Sequence, residues 1–464
     1  MESQKFDALV LGAGPGGYVA AIRLAQLGKS VAIVEEKYWG GVCLNVGCIP
    51  SKALLNSAGM AHSIKQRADE FGIAEITPNY ELAFNRSREV SEGRVKGIHY
   101  LMRKNKIQEF EGRGSFTDLN HLEVNTKDGP LSIEFDYAII ATGASVRQLG
   151  QVPFSEGVVS YEEQILESET PESISIIGAG PIGVEFSFIL ANFGTKVELI
   201  EYQDRVLPLE EPEVSKEIAK SLQSLGIVLR TSSAVEDITE SSSGVEISVK
   251  NQAGENETIK SSKAMVSIGF KPNLFGFGLE NLDVELDGEA IKVDKHLRTN
   301  QKNIFAIGDV TGKMQLAHVA EAQAIVAAEA IAGLSPEPIE DYRFMPRAVF
   351  SEPQVASFGL REQEAVDAGM EIQVSKFPMM ANGKANALGK PSGFIKLIMN
   401  KKDDTLVGAH MVGADVSELL AELTLAHSTG LKVSELASNV HIHPTLSESI
   451  QEAVHGLAGE MINF

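Results

Sequence analysis

Only two cysteines occur in 464 residues, and four residues separate them: Cys43 and Cys48 in Gly40-Gly41-Val42-Cys43-Leu44-Asn45-Val46-Gly47-Cys48-Ile49-Pro50-Ser51-Lys52. A disulfide there closes a loop too short to restrict much of the unfolded chain, so a structural staple is its weaker use. Reversible dithiol–disulfide chemistry is the stronger one. Gly47 permits a sharp turn before Cys48, and Pro50 suits the first turn of a helix that Ala53-Leu54-Leu55 continues. Cys48 is then expected just ahead of a helix N-terminus with Lys52 in the first turn, where dipole and ammonium both favour a thiolate.

A candidate base lies near the other end of the chain, in His441-Ile442-His443-Pro444-Thr445-Leu446-Ser447-Glu448. Proline and helix formers follow His443, so the imidazole sits before a helix start, free to act as acid or base. Glu448 has two readings. Thr445-x-x-Glu448 fits a capping box, and the pattern slightly favours it. Alternatively, Glu448 orients the imidazole as the third group of a triad does. His410, His427 and His455 have no such context and read as surface or packing residues.

The elements that must hold these groups are legible as well. A strand over residues 6–11 runs into Gly12-Ala13-Gly14-Pro15-Gly16-Gly17, a helix over 18–27 and a second strand over 30–34. Gly12, Gly14 and Gly17 occupy the G-x-G-x-x-G positions of a dinucleotide fold, with Glu35 eighteen residues beyond Gly17 to accept from ribose hydroxyls. The unit repeats: strand 173–177, Gly178-Ala179-Gly180-Pro181-Ile182-Gly183, helix 184–193, strand 196–200, then Glu201 at the same spacing. Two such units predict two bound dinucleotides. A carboxylate at Glu201 welcomes a 2′-hydroxyl and repels a 2′-phosphate, which selects NAD over NADP, although Arg205 is near in sequence. Residues 304–309 form a buried strand ending in Gly308-Asp309; the Asp binds a ribityl or ribose hydroxyl, or caps the helix beginning near Ala317. Residues 62–107 read as charged helix with no chemistry, and 210–223 as a surface helix.

At about 150 residues per domain the length fits three domains or four small ones. A net charge of −22 argues against nucleic acid and against anionic membrane as partners. No apolar run approaches the ~20 residues of a membrane span, and residues 1–7 have no secretory pattern. The expected location is cytoplasmic, or an organelle matrix after processing. Structural disulfides are rare there, which again favours a redox role for Cys43 and Cys48. No metal site is expected. Thiols cannot hand hydride to NAD directly, so a flavin is the economical second dinucleotide.

In this order, the first fingerprint, the dicysteine segment, the second fingerprint with Glu185 and Glu201, residues 304–309 and the His441–Glu448 segment resemble the dihydrolipoamide dehydrogenase family, class I flavoprotein pyridine nucleotide-disulfide oxidoreductases, over essentially the whole chain. The fold implied is α/β: two Rossmann-like dinucleotide-binding domains with a C-terminal α+β dimerisation domain. The expected divisions are residues 1–147 (first part of an FAD domain), 148–272 (NAD domain), 273–345 (central domain completing the FAD site) and 346–464 (dimer interface). The resemblance implies oxidation of dihydrolipoamide by NAD⁺ through FAD. Cys43 would be the interchange thiol, and Cys48 would lie against the flavin. Lys52 and Glu185 would pair near the flavin. Glu35, Gly114, Thr142, Gly143, Asp309 and Ala317 would contact FAD. Gly180, Gly183 and Glu201 would contact NAD, with Val235 and Gly269 joining the cofactor-binding set. His443, oriented by Glu448, would reach the disulfide of a partner subunit. The implied partners are a second copy of the chain, lipoyl domains and the E2 subunits of 2-oxoacid dehydrogenase complexes. Phe270 stands where many relatives have Arg. Glutathione, mercuric and large thioredoxin reductases share the framework. The last two add a cysteine or selenocysteine pair that the tail Gly459 to Phe464 does not have. A non-catalytic flavoprotein scaffold is the rival from another class.

Overall fold

The computed structural model describes residues 3–74 and 76–464. The elements that carry the candidate site are, in chain order, β1 (Ser3–Leu11), α1 (Pro15–Gln26), β2 (Val31–Glu35), α2 (Gly41–Asn45), α3 (Cys48–Arg67), β3 (Ser173–Ile177), α4 (Pro181–Asn192), β4 (Lys196–Ile200), α5 (Pro212–Ser224), α6 (Ala317–Ile331), β5 (Gln354–Gly359), β6 (Phe394–Asn400), β7 (Thr405–Gly413) and α7 (Glu448–Leu457). They divide between two compact units: Met1–Ala53, Leu82–Arg147 and Gly269–Tyr342 form the first, and Leu54–Glu81, Gln148–Ile268 and Arg343–Phe464 the second.

In the first unit β1 lies between β2 and Gly129–Ile140, parallel to both. Ala8, Leu9 and Val10 are fully buried, as an unbroken apolar run covered on both faces requires. Ile304–Ala306 adds in parallel on the far side of Gly129–Ile140, so the strand ending near Asp309 finishes at the same edge as the glycine turn after β1. Helices α1 and α6 pack together; Gly16 sits against the Ala320 methyl, where small residues let the two backbones approach. The expected single helical stretch over residues 62–107 is instead the end of α3 and a separate helix, Tyr80–Lys104.

The second unit repeats the parallel arrangement, with β3 between β4 and Lys263–Val266. A three-stranded antiparallel sheet, Ala234–Ser241, Gly244–Lys250 and Asn256–Ser261, follows. The C-terminal part is a five-stranded antiparallel sheet in which β7 lies between β5 and β6, with α7 packed on it. Among the described residues no helix is long and apolar enough to cross a membrane.

Candidate active site

The dicysteine segment crosses the first glycine turn at close range. Gly40 donates its amide to Ala13 O (2.9 Å). Gly41 sits so near that an added Cβ would lie 2.6 Å from Gly14 Cα. Both glycines have left-handed φ, +86° and +68°, which a side chain would strain. Cys43 lies inside the short helix α2, whose last residue Asn45 donates its side-chain amide to Trp39 O and Gly41 O (both 2.9 Å), while Arg88 donates to Asn45 O (2.7 Å). Cys48 is the first residue of α3. The turn expected at Gly47 needs no left-handed φ. An added Cβ there would stand 3.0 Å from Val42 O and 3.3 Å from Cys43 Cα, so the missing side chain lets the start of α3 close on α2. The helix therefore begins before Pro50, and Lys52 falls in its second turn.

Cys43 and Cys48 are both half-buried and are not joined by a disulfide. The hydrogen bond with Cys48, then burial, then the charge on Cys48 push the Cys43 thiol far up, against the opposing pull of Lys52. The two sulfurs are thus in hydrogen-bond contact, as a reduced redox pair must be to exchange with a disulfide. Tyr18 on α1 belongs to the same neighbourhood. Burial, Glu321 and Cys43 all raise its hydroxyl, which donates to Glu321 on α6 at 3.3 Å. Residue-by-residue reading passed over it because a Tyr after a glycine turn looks like packing.

The two fingerprints share one construction. Gly12 and Gly178 have φ near +100°, and a Cβ on Gly17 or Gly183 would collide with the carbonyl oxygen of Gly12 or Gly178. Gly180 has nothing within 4 Å of an added Cβ, and Gly14 only Gly41 Cα at 3.8 Å. Each turn therefore has a tight wall and an open side. Helices α1 and α4 begin at Gly14 and Gly180 with no side-chain cap, so their first N–H groups point into that open space. The acidic residues are more committed than their spacing reveals. Glu35 accepts from the amides of Ala13, Lys37 and Tyr38 (2.8, 2.8 and 2.9 Å), and Glu201 from those of Ala179 (2.7 Å) and Gln203 (2.8 Å). A carboxylate has about four acceptor positions, so capacity for ribose hydroxyls is left.

Asp309 lies in the 3-10 turn Gly308–Thr311. It does not cap α6, which starts at Ala317 with Leu316 as N-cap and no side-chain bond. Burial pushes its carboxyl up to about 6, and among the described residues no side-chain hydrogen bond reaches it. A desolvated carboxylate without a donor fits a polyol hydroxyl. Together with the open glycine cradle, it makes the first unit a fitting receptacle for a flavin dinucleotide. Thr142 and Asn273 are tied reciprocally, Thr142 Oγ1 to Asn273 O (2.8 Å) and Asn273 Nδ2 to Thr142 O (3.0 Å). Beside them Gly143 is left-handed with open space. Gly114 lies in the strand Arg113–Phe116, where a Cβ would stand 2.7 Å from Leu11 Cδ1. Gly269, left-handed, accepts from Arg147 N (3.0 Å).

The second unit holds the remaining candidates. Buried Glu185 on α4 accepts the Phe350 amide at 3.0 Å. Val235 lies at an irregularity in the strand Ala234–Ser241. Glu448 satisfies both of its readings with different oxygens. Oε1 meets His443 Nδ1 at 2.8 Å, and Oε2 accepts the Thr445 amide at 2.8 Å. Only half the capping box forms, because the Thr445 hydroxyl donates to Ile442 O (2.7 Å) and Glu448 opens α7 directly. Burial works to raise the Glu448 carboxyl, but the Thr445 amide and His443 outweigh it and hold the group below its usual range. The His443 imidazole is exposed, so its Nε2 side is available to a substrate.

Comparison with known proteins places this architecture. The family model described as pyridine nucleotide-disulphide oxidoreductase matches residues 6–324, and that described as the dimerisation domain of the same oxidoreductases matches residues 345–454. The dihydrolipoyl dehydrogenase of Mycobacterium leprae is 53% identical over 99% of both chains, and that of Corynebacterium glutamicum 51% identical over 100% of both. Among solved structures, LpdA from Mycobacterium tuberculosis superimposes with a TM-score of 0.90 at 27% identity, covering 98% of this chain and 99% of that one.

Proposed function

The chain belongs to the pyridine nucleotide-disulphide oxidoreductases, and we propose that it is a dihydrolipoamide dehydrogenase, oxidising dihydrolipoamide to lipoamide with reduction of NAD⁺ to NADH. The observation that carries this reading is the thiol pair itself, Cys43 within α2 and Cys48 opening α3, brought together at Gly47 with the Lys52 ammonium acting on it. The dimerisation domain makes the assembly a homodimer.

In the oxidised enzyme Cys43 and Cys48 are a disulfide. His443 of the partner subunit takes a proton from one substrate thiol, and the resulting thiolate attacks Cys43 Sγ. The Cys43–Cys48 bond breaks, and Cys48 leaves as a thiolate. The imidazolium returns that proton to Cys43 as it departs and takes the proton of the second substrate thiol, which attacks the substrate sulfur held on Cys43; that bond breaks, lipoamide is released and Cys43 is left as a thiol. Glu448 keeps the imidazole facing substrate with Nδ1 bonded and Nε2 free to act. FAD, when bound, supplies two-electron transfer between a thiolate and nicotinamide, which no side chain provides. Gly12, Gly14, Gly17, Glu35, Gly114, Thr142, Gly143, Asp309 and Ala317 would hold it, and Lys52 and Glu185 also belong to the cofactor-binding set. Gly180, Gly183 and Glu201 would hold NAD, and Val235 and Gly269 complete the cofactor-binding set. Lipoyl domains and E2 subunits of a 2-oxoacid dehydrogenase complex are the proposed macromolecular partners, and the cytoplasm or an organelle matrix the proposed site of action.

The test is a paired assay of dihydrolipoamide with NAD⁺ against oxidised glutathione with NADPH. Turnover confined to the first pair is expected. Preference for the second would move the chain to the glutathione reductases. Flavin-loaded protein that binds E2 subunits without turnover would make it a scaffold.

A further inference from the structure

Ten residues, Tyr202 to Glu211, join the ribose-side carboxylate Glu201 to α5. The near half of this strap is fastened to the second glycine turn. Gln203 donates its amide to Glu201 (2.8 Å), and Leu207 donates its amide to Ala179 O (2.8 Å), the residue whose own amide bonds Glu201. Leu207 makes that bond from a left-handed φ of +47°, a conformation a branched residue rarely takes unless its surroundings impose it.

The far half is fastened to the C-terminal sheet through buried charges. Glu210 donates its amide to Leu207 O (2.9 Å). Its carboxylate, 6% exposed as a residue, lies 3.4 Å from Arg347 Nε and 4.0 Å from Nδ1 of fully buried His410 on β7. His410 Nε2 is 2.9 Å from Leu360 O, and a carbonyl only accepts, so Nε2 carries hydrogen. Nδ1 is therefore the ring nitrogen that faces the Glu210 carboxylate. Glu210 Oε2, His410 Nδ1 and Ser357 Oγ are otherwise orphaned, although all are buried. Adjacent Glu211 accepts the Glu362 amide (2.6 Å) and pairs with buried Lys396 on β6 at 3.3 Å. Apolar residues would stabilise such a junction at least as well. Charged groups fix one orientation.

We infer that Glu210 is a positioning residue for the nicotinamide dinucleotide: seated on Arg347 and His410, it holds the strap whose Leu207 amide fixes the Ala179 turn. This rests on the assignment of the second fingerprint to NAD. The same strap makes the dimerisation sheet a support for that turn, since one of its strands supplies His410.

The test uses full-length, flavin-loaded protein carrying Glu210→Met or His410→Gln, with Glu201→Ala as the site control. His410→Gln keeps a donor for Leu360 O and drops the contact with Glu210. The expected result is a rise of about tenfold in KM for NAD⁺ and in the Kd of NADH, with KM for dihydrolipoamide and flavin content unmoved. If both variants fold and KM for NAD⁺ stays within about twofold while Glu201→Ala raises it, the strap inference is overturned and the NAD site stands. If Glu201→Ala also leaves NAD⁺ untouched, both fall. A parallel loss in every constant with a lower Tm also overturns it, leaving Glu210 purely structural. Should Glu210→Met not fold, Arg347→Met, which removes the cation 3.4 Å from the same carboxylate, carries the same test, a selective rise in KM for NAD⁺ supporting the inference and none overturning it.

Discussion

Glu448 carries a cap and an orienting contact on separate oxygens, so the two uses come apart under mutation. Glu448→Gln keeps size and one acceptor but removes the charge facing His443. Turnover of dihydrolipoamide is expected to fall on the order of 10²-fold. The one oxygen left can serve either His443 or the Thr445 amide, and turning it to His443 gives up the Thr445 contact at about 1 kcal/mol of stability. Steady-state kinetics beside a thermal melt distinguish these, and normal turnover with a lowered Tm would return Glu448 to capping alone. Asp309 gives a pH-dependent prediction. Burial penalises the charge and pushes its carboxyl up to about 6, above the ordinary aspartate value of about 3.9. A raised folded value contributes stability that is present below about pH 4 and lost as pH rises through about 6. In flavin-free protein Asp309→Asn should therefore match the parent at pH 4 and exceed it above pH 6 by on the order of 2 kcal/mol. Flavin retention should weaken in the same variant, since the charged acceptor for a hydroxyl is gone. Melts at two pH values and a flavin titration check both halves.

At the scale of elements, the fingerprints were legible because glycine spacing, strand composition and the distance to an acidic residue are local. What lay hidden was direction. The carboxylates of Glu35 and Glu201 curl back on the amides of their own turns, and nothing in a linear pattern says where those amides point. The segment 210–223 reads as a surface helix by charge alone. Yet α5 begins only at Pro212, and Glu210 and Glu211 are buried because their partners, Arg347, His410 and Lys396, come from strands far along the chain. Gly47 shows the same limit: a glycine can serve φ or proximity, and only the neighbours decide. The glycines of the second turn turn this distinction into a test. Gly183→Ala drives a Cβ into Gly178 O, so α4 must move away from β3, and both Tm and NAD⁺ binding are expected to fall. Gly180→Ala meets nothing in the protein, so Tm should hold, while the methyl enters the space proposed for the pyrophosphate and raises KM for NAD⁺ about tenfold or more. Equal KM values for Gly180→Ala and the parent would place the dinucleotide elsewhere.

At the scale of the molecule, one polypeptide carries its thiols in the first unit and His443 in the second, and the segment around that histidine is apolar where a lone chain would show it to water. Val440 is 86% and Ile442 79% exposed, and Ile462 and Phe464 are similarly open. Two such residues beside the proposed base in sequence, and two more near the end of the chain, fit a face buried by a second copy. If the base of each site comes from the other subunit, two different defects can complement. A Cys43→Ser subunit has an intact His443 but no interchange thiol. A His443→Gln subunit has the thiols but no base. In the mixed dimer one site has lost both groups, and the other combines intact thiols with an intact histidine. Separately each variant should be nearly inactive. Co-refolded in equal amounts, about half of the dimers are mixed, each with one working site of two, so activity should recover to about a quarter of the parent's. An active site complete within one chain predicts none, because every subunit then carries a defect of its own. The recovered fraction thus reports where the base acts, and because it depends only on how subunits pair, no measure of how strongly either substitution slows the chemistry is needed to interpret it.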